Sequence, residues 1–380
     1  MPKDKDIAVV EPDYLQWLIG STRTAWWHDS ADPAELALGL KRGAVGVTTN
    51  PYLANLALCK NWALWANEIG EALAQKPEAE SKAEALTRIV VTAAANMLVP
   101  QFERSHGERG YVCAQVNPAR AGDRDVMLAM ARRFHAWAPN IAVKLPATAA
   151  GLDVLEDCAA EGITVTATVS FTVPQAIAIA ERFRRGIERA RRNGIRPGKC
   201  FAVIMIGRLD DYLREVAHDS RATATESDIR QAGLAVTKRA CSMYRERNYE
   251  AVLLVAALRG AYHMTELAGA EIIMSIAPKY QEILLRESLP REERIHREIA
   301  SDVVERLSTM PEFRRAYEPE GMTPPEFIAY GATQRTLSQF TEVGWGLLES
   351  FEFGPSAVRS DRSDRSDKSD RSDTSDKEDP

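Results

Sequence analysis

Eight short runs rich in Val, Ile, Ala and Thr, each separated from the next by helical sequence, constrain this chain more than any other feature. They are TAWWHD (24–29), AVGVTT (44–49), YVCAQVN (111–117), IAVKLP (141–146), ITVTATV (163–169), CFAVIMI (200–206), AVLLVAA (251–257) and EIIMSIA (271–277). Between them lie segments such as PAELALGLKRG, DVMLAMARRFHAWA, GLDVLEDCAAEG and VPQAIAIAERFRRGIERARRNG, which carry a helical period. Strands that are apolar on both faces and separated by helices imply parallel βαβ units. Eight such units predict an α/β fold, a closed (β/α)8 TIM barrel, rather than an open sheet. The long interval 52–110 predicts additional helices after strand 2. Stretches around 292–317 and 324–350 predict two more after strand 8, packed against the barrel as a cap.

The barrel is expected over 1–353. From Gly354 the chain becomes a Ser-Asp-Arg/Lys repeat with almost no apolar residue. Such a segment buries too little to offset its ordering entropy, so 354–380 reads as a disordered, solvated tail. Of the 380 residues 45% are hydrophobic, enough for a large core, and the net charge of -6 shows no nucleic-acid footprint. No run of about 18 apolar residues predicts a membrane span. The N-terminus does not read as a signal peptide, so a cytoplasmic protein is expected. Five scattered cysteines, with no CxxC and no His at ligand spacing, read as reduced thiols and not as a metal site.

A barrel places chemistry inside or at the C-terminal ends of its strands, and residues i and i+2 share a face. Lys144, in IAVKLPAT, sits among apolar residues near the end of a buried strand. Burial depresses a lysine pKa and makes its amine nucleophilic; the alternative is a structural lysine that snorkels to the rim. Asp29 ends the first strand, as a proton shuttle or as a helix N-cap. Asp32, directly before Pro33, suits the cap better and frees Asp29. Asn50 reads either as a substrate contact or as a strand terminator before Pro51. Gln115 and Thr168 are a buried amide and hydroxyl that need partners and together could hold a water. Arg208 and Arg259 follow the sixth and seventh strands, where two guanidiniums at matching positions could clamp a phosphate.

These pieces together resemble the transaldolase family over nearly the whole chain before the tail. HDSADPAEL looks like the family's D-[ST]-A-D start, and GVTTNPYL is similar to its [ST]-[ST]-N-P signature. IAVKLPATAAGLDVLEDCAAEGITVTATVSFTVPQA resembles its Schiff-base segment, and GRLDDY, ALRGAY and SIAPKYQEIL follow the family order. The resemblance implies a class I aldolase-like barrel with no metal and no cofactor. Its partners would be a sugar phosphate or related ketose and an aldehyde, as in the pentose phosphate pathway. Lys144 would attack the ketone, and cleavage would leave a dihydroxyacetone enamine for an acceptor aldehyde to take. Asp29, Gln115 and Thr168 would complete the catalytic set. Thr49, Asn50, Thr166, Arg208 and Arg259 would bind substrate, the two arginines through phosphate.

The sequence also departs from that pattern. Gln115 stands where many transaldolases carry Glu, a glutamine shared with the fructose 6-phosphate aldolase branch. Thr166 replaces an Asn, Val203 a Ser, Met205 an aromatic and Ala257 a Ser. Lost polar contacts predict altered preference, toward deoxygenated, larger or more apolar substrates. Two alternatives stand beside the transferase: a class I aldolase of the same branch, and a catalytically reduced barrel acting as a scaffold, with the tail as its arm. A homodimer stays open.

Overall fold

A computed structural model describes residues 13–74 and 76–352, so the tail reading for 354–380 falls outside the described residues. The eight strands are β1 (Ala25–His28), β2 (Gly46–Val47), β3 (Tyr111–Gln115), β4 (Ile141–Pro146), β5 (Val165–Thr168), β6 (Cys200–Met205), β7 (Val252–Ala256) and β8 (Ile273–Ile276). They pair in sequence order, all parallel, and β8 closes onto β1. The expected TIM barrel is therefore the fold.

Caps explain where strands give way to helices. Asp32 accepts from Ala34 N and Glu35 N at 2.9 and 3.0 Å and caps Pro33–Lys41. Asn50, Thr148 and Thr172 cap Pro51–Lys60, Ala149–Ala160 and Val173–Arg192 in the same way. Each side-chain oxygen satisfies an orphan first-turn N–H, and proline at the start of three of these four helices removes another. Asp32 is thus the cap, and Asp29 is left to the barrel interior.

The interval after β2 holds Pro51–Lys60, Ala66–Ala74 and the long helix Ala79–Arg104. Ala79–Arg104 is the one described helix long and apolar enough to cross a membrane by length and composition. Here it packs on β3 and turns Leu86, Val90, Val91, Ala94 and Leu98 into the core. Beyond β8 the expected helix around 292–317 begins only at Ser301. The chain just before it is pinned instead: Arg294 N and Ile295 N both donate to the Ala268 carbonyl. Ser301–Leu307, Pro311–Tyr317, Gly331–Phe340 and Gly346–Glu349 supply most of the cap.

Cross-barrel contacts show which side chains point inward. Phe201 of β6 meets Trp27 of β1 with ring centroids 4.5 Å apart, and Tyr111 of β3 at 5.4 Å. These three buried rings floor the barrel. Gly46 makes room for them, since a Cβ there would stand 2.5 Å from the Trp27 indole. By alternation the next inward positions are Asp29, Thr48, Cys113, Gln115, Lys144, Thr166, Thr168, Val203, Met205, Leu254, Ala256 and Ser275.

Candidate active site

Above the aromatic floor, Lys144 is 6% exposed and lies in register with Gln115 on β3 and Thr166 on β5. Its Nζ donates to the Thr49 carbonyl at 3.0 Å, and no carboxylate pairs with it among the described residues. Thr166 Oγ1 and Cys113 Sγ meet at 3.6 Å across β4, on the face that carries the lysine. Burial pushes the Lys144 pKa down. The Cys113 and Asp29 charges oppose that shift, and Arg208 adds to it. A dry ammonium with no ion partner is the unfavourable form, so the free amine gains.

Asp29 accepts from Thr48 Oγ1 at 2.9 Å, and Thr48 in turn hydrogen-bonds Ser275 of β8. Burial raises the Asp29 pKa against the Thr48 bond, the Lys144 charge and Ser275. A carboxyl that keeps its proton longer is suited to donate it. Asp29 and Lys144 are each the other's electrostatic neighbour, and burial shifts both toward the neutral form.

Gln115 is buried, and its Oε1 accepts no hydrogen bond among the described residues. An orphan acceptor in a dry site costs about 1–3 kcal/mol, which a water or ligand hydroxyl would relieve. Thr168 is buried, and its hydroxyl donates to the Met205 sulfur at 4.0 Å. Val169, the next residue, has φ +54°, a strained region for a β-branched side chain. Gln175 holds that bend by donating to the Val169 and Ala147 carbonyls and accepting from Phe171 N.

Arg208 lies in the first turn of Ile206–Ser220, directly after β6, and Arg259 follows β7. Burial and the nearby Arg259 charge lower the Arg208 pKa to about 10. Arg259 donates to Asp211 Oδ2 through Nε at 3.0 Å and Nη2 at 2.6 Å, and through Nη1 to the Ala257 and Leu258 carbonyls. Gly207 lets the two elements interlock: a Cβ there would stand 2.4 Å from Arg259 Cγ.

The structure thus places Lys144, Asp29, Gln115, Thr166 and Thr168 on the inward face of the barrel, with Arg208 and Arg259 directly after β6 and β7. It gives two expected substrate contacts other work. The Thr49 hydroxyl donates to the Cys113 carbonyl at 2.7 Å, because Thr48, not Thr49, shares the inward face with Gly46. Thr49 therefore meets the lysine through its carbonyl. The Asn50 side-chain oxygen accepts from Leu53 N at 2.9 Å as a helix cap. Sequence reasoning missed Thr48, Ser275 and Cys113, which strict alternation along β2, β8 and β3 would have found. It also missed Asp211 and Gln339, for which no local signal exists.

Comparison with known proteins shows the family to which this chain belongs. A family model described as Transaldolase/Fructose-6-phosphate aldolase matches residues 26–317. A transaldolase of Thiobacillus denitrificans is 29% identical over 260 residues, covering 67% of this chain and 71% of that protein. A transaldolase of Mycolicibacterium paratuberculosis is 33% identical over 211 residues, 53% of this chain and 55% of its own length. One from Neisseria gonorrhoeae is 32% identical over 183 residues, 47% of this chain and 52% of that protein. The chain spans about half the length of the latter two relatives.

Proposed function

Because the chain belongs to the transaldolase/fructose-6-phosphate aldolase family, we propose that it is a transaldolase-type transferase acting through a Schiff base on Lys144. The observation that carries this reading is the buried Lys144 amine, unpaired by any carboxylate and held to the Thr49 carbonyl.

Lys144 Nζ adds to the ketone carbon of a ketose phosphate, and Asp29 supplies the proton with which the carbinolamine oxygen leaves as water. The Asp29 carboxylate then takes the proton of the hydroxyl two carbons beyond the imine carbon. The bond between the carbon bearing that hydroxyl and the carbon next to the imine breaks, its electrons enter the iminium, and an aldehyde departs from a three-carbon enamine. The enamine carbon attacks the acceptor aldehyde, Asp29 returns its proton to the new hydroxyl, and water releases the product from Lys144. Thr48 and Ser275 orient Asp29 throughout. Arg208 and Arg259 bind the phosphate, and the apolar Val203 and Met205 favour substrates with fewer hydroxyls on that side.

Gln115 favours a second reading, an aldolase in which the enamine is protonated and released. An amide with a free oxygen can hold a water near the enamine.

Borohydride reduction with a ketose phosphate, followed by intact mass, tests the chemistry. A trapped adduct that disappears in Lys144→Ala supports it, and no adduct with any ketose favours the scaffold. Product analysis with and without acceptor aldehyde separates transferase from aldolase.

A further inference from the structure

The family match ends at residue 317, yet the chain beyond it reaches back over the barrel mouth. The helix Gly331–Phe340 finishes beside Arg208. Gln339 Oε1 accepts from Arg208 Nη1 at 2.5 Å, and the buried Phe340 ring faces the guanidinium 5.1 Å from its carbon. Directly afterwards the helix widens into a π turn, Thr341–Trp345, which buries Trp345. Such turns are rare and occur often at functional sites.

Arg208 pairs with no carboxylate among the described residues, although the Asp211 and Asp29 charges act on it. Its one side-chain hydrogen bond among the described residues goes to a neutral amide, and burial with the Arg259 charge lowers its pKa. Arg259 is different, because Asp211 already satisfies two of its nitrogens. With Asp211 bound to Arg259 and Asp29 held by Thr48, the two neighbouring guanidiniums leave room for an anion at Arg208. The Gln339 Nε2 amide, which has no partner among the described residues, stands at the same rim.

We propose that Gln339 and Phe340 form the third side of the phosphate subsite, with Phe340 fixing the Arg208 guanidinium plane and Gln339 donating Nε2–H to the phosphate. This rests on reading Arg208 and Arg259 as the phosphate ligands. A planar guanidinium holds its geometry best when one face is stacked and one nitrogen is anchored, which leaves the others for bidentate phosphate contact. The C-terminal helix thereby becomes part of substrate selection.

The test compares kcat/KM for fructose 6-phosphate with that for fructose, in the full chain. Gln339→Ala is expected to lower the ratio about tenfold, through KM for the phosphorylated donor, as loss of a hydrogen bond to a charged group does. Gln339→Glu is expected to lower it further, since its carboxylate would pair with Arg208 and repel phosphate. Phe340→Leu should follow Gln339→Ala in direction. A ratio unmoved in both Gln339 variants, beside a wild type that prefers the phosphorylated donor, overturns this proposal alone. So does a lower Tm with an unchanged ratio, which marks a purely structural contact. A wild type with no preference for the phosphorylated donor overturns the arginine reading with it.

Discussion

His263 and Asp210 meet at 3.0 Å with both side chains fully buried, and through them the loop carrying Arg259 is fastened to the helix carrying Arg208. His263 Nδ1 accepts from Arg259 N at 3.2 Å, so the proton of the neutral ring sits on Nε2 and points at Asp210. The other Asp210 oxygen accepts from Gly233 N at 2.8 Å. His263→Ala strands a buried carboxylate and a backbone N–H, and should cost about 3 kcal/mol in urea unfolding. Asp210→Asn keeps an oxygen for Gly233 but sets its NH2 against the His263 Nε2–H, a buried donor left without an acceptor, and should cost about 1–3 kcal/mol. A loss below about 1 kcal/mol in either variant would contradict this arrangement.

Asp29→Asn separates the two roles of that carboxylate. Its charge holds the Lys144 pKa up against burial, so removing it should lower the lysine pKa further. The acid limb of imine formation, followed by borohydride trapping across pH, should therefore move to lower pH. Turnover should nevertheless fall by about 10²–10⁴-fold, because the acid–base group is gone. A limb that moves to higher pH would show that Asp29 does not act on Lys144 in this way.

Much of this site is written in the sequence, but unevenly. β4 runs over the residues its apolar pattern predicts, and Lys144, Asp29, Arg208 and Arg259 all announce themselves at strand ends. Strand period alone decides between Thr48 and Thr49, adjacent threonines on opposite faces. The motif GVTTNP points to both, and only the parity set by Gly46 under Trp27 picks Thr48 for the pocket. Gln339 was illegible because nothing local marks a glutamine 131 residues away as the partner of Arg208. The His263–Asp210 pair was hidden for the same reason, since tertiary packing alone brings the two elements together.

Gly46→Ala tests the barrel floor. The added methyl would stand 2.5 Å from a fully enclosed indole, which has nowhere to retreat between Phe201 and the strand. Overpacking of this kind costs about 1–3 kcal/mol. Trp27→Phe removes the atoms in conflict, so the double variant should be more stable than the sum of the single losses predicts. Strict additivity in chemical denaturation would place the strain elsewhere.

Lys144→Met should trade activity for stability, and the trade should depend on pH. In the native state the lysine pKa lies below its unfolded value of 10.5, with burial as the main cause. Below the native pKa both states carry the proton, and the wild type bears the full cost of a buried ammonium. Between the native pKa and 10.5 the unfolded state binds more protons, so wild-type stability rises with pH. Methionine is similar in length, cannot be charged, and leaves only the Thr49 carbonyl without its donor, a loss of about 1 kcal/mol. The variant should therefore form no borohydride adduct yet melt higher than the wild type on the acidic side. The gap in Tm should narrow steadily as pH rises toward 10.5. A gap that is constant across this range would mean that burial does not depress the lysine, and a gap that widens would mean that its native pKa lies above the unfolded value.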